Sequence, residues 1–125
     1  MRYTILVVED RLDSRELLRF LLESEGYRVL EAGNGLAAVE VAQQERPDAI
    51  LMDISLPLMD GCQATVRIRQ SGLSAIPIIA CTAYDSSDWR NKVSLAGCTD
   101  FISKPVEFRA LLSLLGDYLP STDNS

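Results

Sequence analysis

The 125-residue chain contains no histidine. That removes an imidazole base, an imidazole metal ligand and a phosphohistidine formed on this chain, because the one side chain that ordinarily titrates near neutral pH is missing. Cysteine is scarce: Cys62, Cys81 and Cys98 stand in no paired spacing. This excludes a disulfide framework or a cysteine zinc site and points to a reducing compartment. Cys81 lies in an apolar run and reads as a small core residue. No apolar run approaches the roughly 20 residues needed to cross a bilayer. The first residues lack the layout of a secretory signal, so a cytoplasmic location without membrane contact is expected. Positive charge is in deficit, with 12 Lys and Arg against 18 Asp and Glu, a net charge of −6. Such a balance argues against nucleic acid as a direct partner. No glycine-rich phosphate loop follows the first apolar run, where Glu9-Asp10-Arg11 stands instead. That argues against a flavin or nucleotide module.

What is present is an ordinary globular composition, 47% apolar and 24% charged. Apolar runs and amphipathic stretches alternate five times. Strands are predicted over residues 3–8, 28–32, 49–53, 77–82 and 100–103. Helices are predicted over 13–24, 36–44, 61–70, 87–96 and 106–119. Leu17, Leu18, Leu21 and Leu22 make the apolar face of the first helix, and Asp13 with Glu16 reads as a capping box at its start. The second helix offers Leu36, Ala37, Val39, Val41 and Ala42. The third offers Ala64, Val66 and Ile68. Trp89 shares helical spacing with Val93 and Ala96 and reads as core or half-buried packing, with a partner contact as the alternative. Phe108, Leu111, Leu112, Leu115 and Leu119 form the inward stripe of the last helix. Leu114 and Tyr118 widen that arc, as a covered surface or as a docking face. Glu23, Glu25, Glu31, Glu40 and Glu45 read as solvated acids. The alternation implies an α/β fold, a doubly wound parallel sheet with helices on both faces. Residues 1–119 are expected to form one domain and residues 120–125 a disordered polar tail.

The strand ends carry the chemistry. Ala49-Ile50-Leu51-Met52 is a buried-strand run that ends on Asp53. Thr4-Ile5-Leu6-Val7-Val8 ends on Glu9 and Asp10, a third run ends on Thr82, and Lys104 follows a fourth. In open α/β sheets the carboxyl edge is where ligands bind. Carboxylates form aspartyl-phosphates, which makes Asp53 the candidate nucleophile. Several acids at one edge repel each other unless a cation intervenes. Mg²⁺, a hard ion that prefers oxygen, suits them. Asp10 and Asp53 are expected as direct ligands, Glu9 through water, with a backbone carbonyl near Ser55. Lys104 supplies a positive charge and Thr82 a hydroxyl donor for phosphoryl oxygens.

These residues resemble those of response-regulator receiver domains. The likeness runs from about Tyr3 to Leu119. It rests on Val7-Val8-Glu9-Asp10, Glu31-Ala32-Gly33-Asn34-Gly35, Pro47-Asp48-Ala49-Ile50-Leu51-Met52-Asp53, Leu56-Pro57-Leu58-Met59-Asp60-Gly61, Thr82-Ala83, Ala96-Gly97-Cys98 and Lys104-Pro105. The resemblance implies a flavodoxin-like (βα)5 sandwich with strand order 2-1-3-4-5. It implies that Asp53 accepts phosphate from a histidine kinase or a histidine phosphotransfer protein. Glu9, Asp10, Asp53 and the Ser55 carbonyl would hold Mg²⁺ or Mn²⁺. Thr82 and Lys104 would bind the phosphoryl group, with Thr82 and Phe101 as the switch pair. The Lys104-Pro105 bond is expected to be cis. Ser55 and Tyr84 occupy two variable positions that tune phosphoryl lifetime in the family.

The expected function is therefore a phosphoacceptor switch in a two-component system or phosphorelay. Its catalysis would be confined to its own phosphorylation and dephosphorylation. No output segment follows the last helix, so the output is expected to be a protein contact, with a phosphorylation-dependent homodimer as one form of it. Two alternatives stand beside this. One is an Mg²⁺-dependent aspartyl-phosphate hydrolase, which wants a second acid where Ser55 sits. The other is a receiver fragment of a larger regulator or hybrid kinase.

Overall fold

The computed structural model describes residues 2–83 and 87–120. In chain order the elements are β1 Thr4–Val8, α1 Leu12–Ser24, β2 Arg28–Ala32, α2 Gly35–Glu45 and β3 Ala49–Asp53. They continue with α3 Gly61–Gln70, β4 Ile78–Thr82, α4 Ser87–Ala96, β5 Asp100–Ser103 and α5 Phe108–Tyr118. The five strands form one parallel sheet in the order β2-β1-β3-β4-β5. None of the described helices is long and apolar enough to cross a membrane.

The two-residue period of a strand divides the core between the two faces of the sheet. Leu6, Val8, Ile50 and Met52 pack with Ala38, Ala42, Ala64 and Ile68 from α2 and α3. Ile5, Val7, Ala49, Leu51, Ile79 and Cys81 pack with Leu22 from α1 and with Leu111 and Leu115 from α5. Both faces are covered, which is why these strands read as unbroken apolar runs rather than alternating ones. A smaller cluster of Ile54, Cys62, Ala80 and Val93 sits under α4, with Trp89 and Phe101 packed against it. Each fully buried leucine at these positions contributes about 1.5 to 3 kcal/mol relative to an exposed one.

Several local expectations are corrected. The Asp13–Glu16 capping box does not form, because α1 begins at Leu12 after Arg11, which makes no side-chain cap. Asp13 already lies inside the first turn, where its carboxylate accepts from the Ser14 N–H. Leu17 is exposed although it belongs to the predicted apolar face. The helix touches the sheet along a narrow line through Leu22, and Leu17 falls on the rim. In α2 the buried centre is Ala38 and Ala42, while Leu36 points outward. Small residues let that helix lie close to α3. Val66 is exposed on α3. The last helix begins at Phe108, later than predicted, because Glu107 caps it by accepting from the Arg109 and Ala110 N–H groups. Tyr118 spends its hydroxyl inside the fold, donating to Asp100 Oδ2 at 3.0 Å. Glu31 is not a free surface acid: it pairs with Arg15 and Arg19.

The ends of the described chain meet. The Tyr3 hydroxyl donates to the Pro120 carbonyl at 2.6 Å. The rest of the predicted tail, residues 121–125, lies outside the described residues.

Candidate functional site

Parallel strands all leave the sheet at one edge, and four of them deliver a polar side chain there. Glu9 and Asp10 follow β1, Asp53 is the last residue of β3, Thr82 the last of β4, and Lys104 follows β5. One carboxylate oxygen from each of Glu9, Asp10 and Asp53 lies within 4.8 Å of the others. Lys104 Nζ stands 2.9 Å from Asp53 Oδ2 and 3.6 Å from Glu9 Oε1. The second oxygen of each acid is held by backbone. Ser55 N–H donates to Asp53 Oδ1 at 3.0 Å, and Arg11 N–H donates to Glu9 Oε2 at 3.1 Å. Glu9, Asp53 and Thr82 are buried, whereas Asp10 is exposed.

Burial governs the electrostatics. It pushes the Glu9 carboxyl above its ordinary value; Asp53 adds to this, while the Arg11 N–H and Lys104 oppose it. Burial works against the Lys104 ammonium, but its hydrogen bond to Asp53 and the charges of Asp53 and Glu9 outweigh that and raise it. Lys104 is therefore firmly cationic at neutral pH. The Cys81 thiol, wholly buried, is pushed up to about 12 and is no nucleophile. The three acids offer hard oxygens around a space rimmed by one cation. That donor set fits a divalent oxygen-loving ion such as Mg²⁺ and does not fit a thiophilic one.

The loop after β3 is folded tightly against the strand that carries Asp53. Gly61 N–H donates back to the Ile54 carbonyl at 3.1 Å. A Cβ on Gly61 would lie 2.3 Å from the Asp53 carbonyl oxygen, so only glycine permits this approach. Asp60 then caps α3 in a reciprocal box with Gln63.

Phe101 is half-buried on β5, paired in register with Ala80, and Thr82 pairs with Ser103. The Arg90 guanidinium lies over the Phe101 ring at 4.8 Å, a cation–π arrangement. The Lys104-Pro105 peptide is cis. Ser55 is exposed beside Asp53. Tyr84 lies outside the described residues.

Sequence reasoning assigned no role at the site to Arg11, Arg15, Gly61 or Arg90. Arg15 Nη1 donates to the Glu9 carbonyl at 2.9 Å and its Nε to Glu31 Oε1 at 2.8 Å. The spacing Arg11, Arg15, Arg19 put three cations along one helical row, and that was the available signal. Beside the cleft, between α1 and the start of α5, runs a groove of about 370 Å³. Leu17, Leu18, Leu21, Val106 and Phe108 line it, and it shares Glu9 and Lys104 with the cleft.

A family model described as the response regulator receiver domain matches residues 5–116. The polar-differentiation response regulator DivK of Brucella anthropi is 35% identical over 120 residues, 95% of this chain and 98% of that protein. Among solved structures, the receiver domain of a sensor histidine kinase from Pseudomonas aeruginosa is 37% identical with a TM-score of 0.88, covering 97% of this chain and 100% of the other. That structure has a magnesium ion coordinated in its active-site cleft. The Vibrio cholerae chemotaxis protein CheY4 is 29% identical with a TM-score of 0.89, over 95% and 100% of the two chains.

Proposed function

Because the chain belongs to the response regulator receiver domain family of two-component signalling, we propose that Asp53 is its phosphoacceptor. The phosphoryl group comes from a phosphohistidine on a histidine kinase or a histidine phosphotransfer protein. The observation that carries this is the clamp on Asp53, with Lys104 Nζ 2.9 Å from one oxygen and the Ser55 N–H 3.0 Å from the other.

A carboxylate oxygen of Asp53 attacks phosphorus, an O–P bond forms, the N–P bond of the donor breaks, and its electron pair returns to the imidazole. Such transfers depend on positioning and charge neutralisation rather than on covalent help from the protein. Glu9, Asp10, Asp53 and the Ser55 carbonyl would hold Mg²⁺ or Mn²⁺, which when bound neutralises charge on the transferring group. Lys104 leaves Asp53 for a phosphoryl oxygen, and the Thr82 hydroxyl donates to another. Asp53 is only 3% exposed, which limits its contact with bulk water.

The product carries about −1.5 to −2 units of charge at the end of β3. Thr82 moves toward it, and Phe101 turns into the space vacated. That biases an equilibrium between two arrangements of α4, β5 and α5, where a downstream protein, a second copy included, reads the state. Catalysis is limited to the chain's own phosphorylation and dephosphorylation, with Ser55 and Tyr84 setting the lifetime. The free thiols Cys62, Cys81 and Cys98 accord with a cytoplasmic location.

The apolar groove gives the donor a seat. A donor imidazole must come close to Asp53, so its carrier must rest on a surface continuous with the cleft. The groove along Leu17, Leu21 and Phe108 is such a surface and would take an amphipathic helix bearing the phosphohistidine.

Incubation with Mg²⁺ and a small acyl phosphate, followed by intact mass, tests the reading. Wild type should gain the mass of one phosphoryl group and Asp53→Asn should not. No gain on wild type, or an equal gain on the variant, would overturn it.

A further inference from the structure

Arg11, Arg15 and Arg19 follow one another at four-residue spacing, Arg11 just before α1 and the other two on it. Like charges at that spacing weaken a helix, so local stability does not account for Arg15. Its partners lie elsewhere. The guanidinium spans from Glu31 on β2 to the backbone carbonyl of Glu9 beyond β1, at 2.8 and 2.9 Å. Both side chains of the ion pair are largely shielded, Arg15 at 18% and Glu31 at 22% exposure. Arg19 donates to the other Glu31 oxygen, which keeps that carboxylate turned toward α1. Room for the guanidinium comes from Gly33, where a Cβ would lie 3.1 Å from Arg15 Nη1.

The acceptor oxygen decides the consequence. It belongs to the peptide that joins Glu9 to Asp10. A peptide is planar, so fixing that oxygen also fixes the nitrogen and the Cα of Asp10. The Glu9 N–H is already tied to the Ala32 carbonyl at 3.1 Å. Arg15 closes the remaining freedom on the Asp10 side. The exposed Asp10 carboxylate, with an oxygen within 4.8 Å of those of Glu9 and Asp53, stands on that hydrogen-bonded backbone.

We infer that Arg15, held by Glu31, is a positioning residue for the acidic end of the cleft: the Glu31–Arg15–Glu9 carbonyl bridge orients the peptide that presents Asp10, and so sets the affinity for a divalent cation. This rests on the reading of Glu9, Asp10 and Asp53 as Mg²⁺ ligands. Partners that orient metal ligands from outside the coordination sphere typically change metal affinity about 10- to 100-fold when removed. An arginine is required because its fork reaches two acceptors at once, which a lysine ammonium cannot reproduce in the same plane.

The test is calorimetric titration of MgCl₂ into the full chain, with no phosphoryl donor present. Wild type, Arg15→Gln, Arg15→Lys, Glu31→Gln, the double variant Arg15→Gln/Glu31→Gln and Asp10→Asn are compared at a temperature where circular dichroism shows all of them folded. Arg15→Gln and Glu31→Gln should each weaken Mg²⁺ binding about tenfold. The double variant should be no weaker than the poorer single one, since both break one path, and Arg15→Lys should recover only part of the loss. A role in stability alone would lower the Tm and leave the Mg²⁺ affinity unmoved; that result overturns the inference. Asp10→Asn separates the two readings. If it abolishes binding while Arg15→Gln binds like wild type, the positioning role fails and the metal site stands. If wild type itself takes up no Mg²⁺, both fail.

Discussion

Lys104 Nζ sits 2.9 Å from Asp53 and 3.6 Å from Glu9, so one cation bridges two of the three acids. On the proposed function, two roles of that charge oppose each other. It would attract a phosphoryl oxygen, and it would repel a divalent cation bound to the same carboxylates. Lys104→Ala should therefore bind Mg²⁺ more tightly, by roughly tenfold after screening by solvent at this half-buried position, yet gain phosphate more slowly. Mg²⁺ titration and timed intact mass with an acyl phosphate check both directions. Parallel loss of both would mean that Lys104 only holds the site together.

Leu17 tests the proposed docking of a donor protein separately from the chemistry. It is exposed and lines the groove rather than the core. Leu17→Glu should change stability by less than about 0.5 kcal/mol, as surface substitutions do. Uptake from a small acyl phosphate should stay at the wild-type rate, while transfer from a phosphohistidine protein falls at least about tenfold. The ratio of the two rates is the readout.

Gly61 ties the loop to the backbone of Asp53 and Ile54. In Gly61→Ala the new methyl group would press on the Asp53 carbonyl from 2.3 Å. The expected cost is about 2 to 3 kcal/mol in urea unfolding. Phosphoryl uptake should also fall in the fraction that stays folded, because strain at that carbonyl displaces the carboxylate.

Glu31 gives the fold an acid-sensitive contact. Hydrogen bonds from Arg15 and Arg19 hold its carboxyl below the ordinary value of 4.5. The unfolded chain then takes up that proton first as pH falls. The pair's stabilisation is complete above 4.5 and is lost as pH drops through the lowered native value. The Tm gap between wild type and Glu31→Gln should thus be constant from about pH 7 to about pH 5 and close below that. A gap that widened on acidification would contradict the sign.

The sheet was legible in the sequence because its strands are buried on both faces and read as unbroken apolar runs, as Ala49 to Met52 does. The cleft was legible because four such runs end in polar residues, and parallel strands carry those ends to one edge. Helix faces were less legible. Four leucines on α1 look equivalent by period, but only the packing distance to the sheet selects Leu22 and leaves Leu17 outside. On α2 the apolar residues run almost round the helix, so period alone did not separate the buried Ala38 and Ala42 from the exposed Leu36. Arg15 was hidden for another reason. Its partners come from β2 and from the backbone beyond β1, and only the strand order brings those together.

The hydrogen bond between Tyr3 and Pro120 sits at the amino rim of the sheet, across the molecule from Asp53. A short linker could join those two ends and the chain be reopened at a surface loop, giving a circular permutant whose cleft keeps its native connections. For the same reason, a reporter protein joined directly before Tyr3 or after Pro120 would hang from the far rim. It would leave the approach to Asp53 open, which makes this fold a convenient cartridge for building sensors.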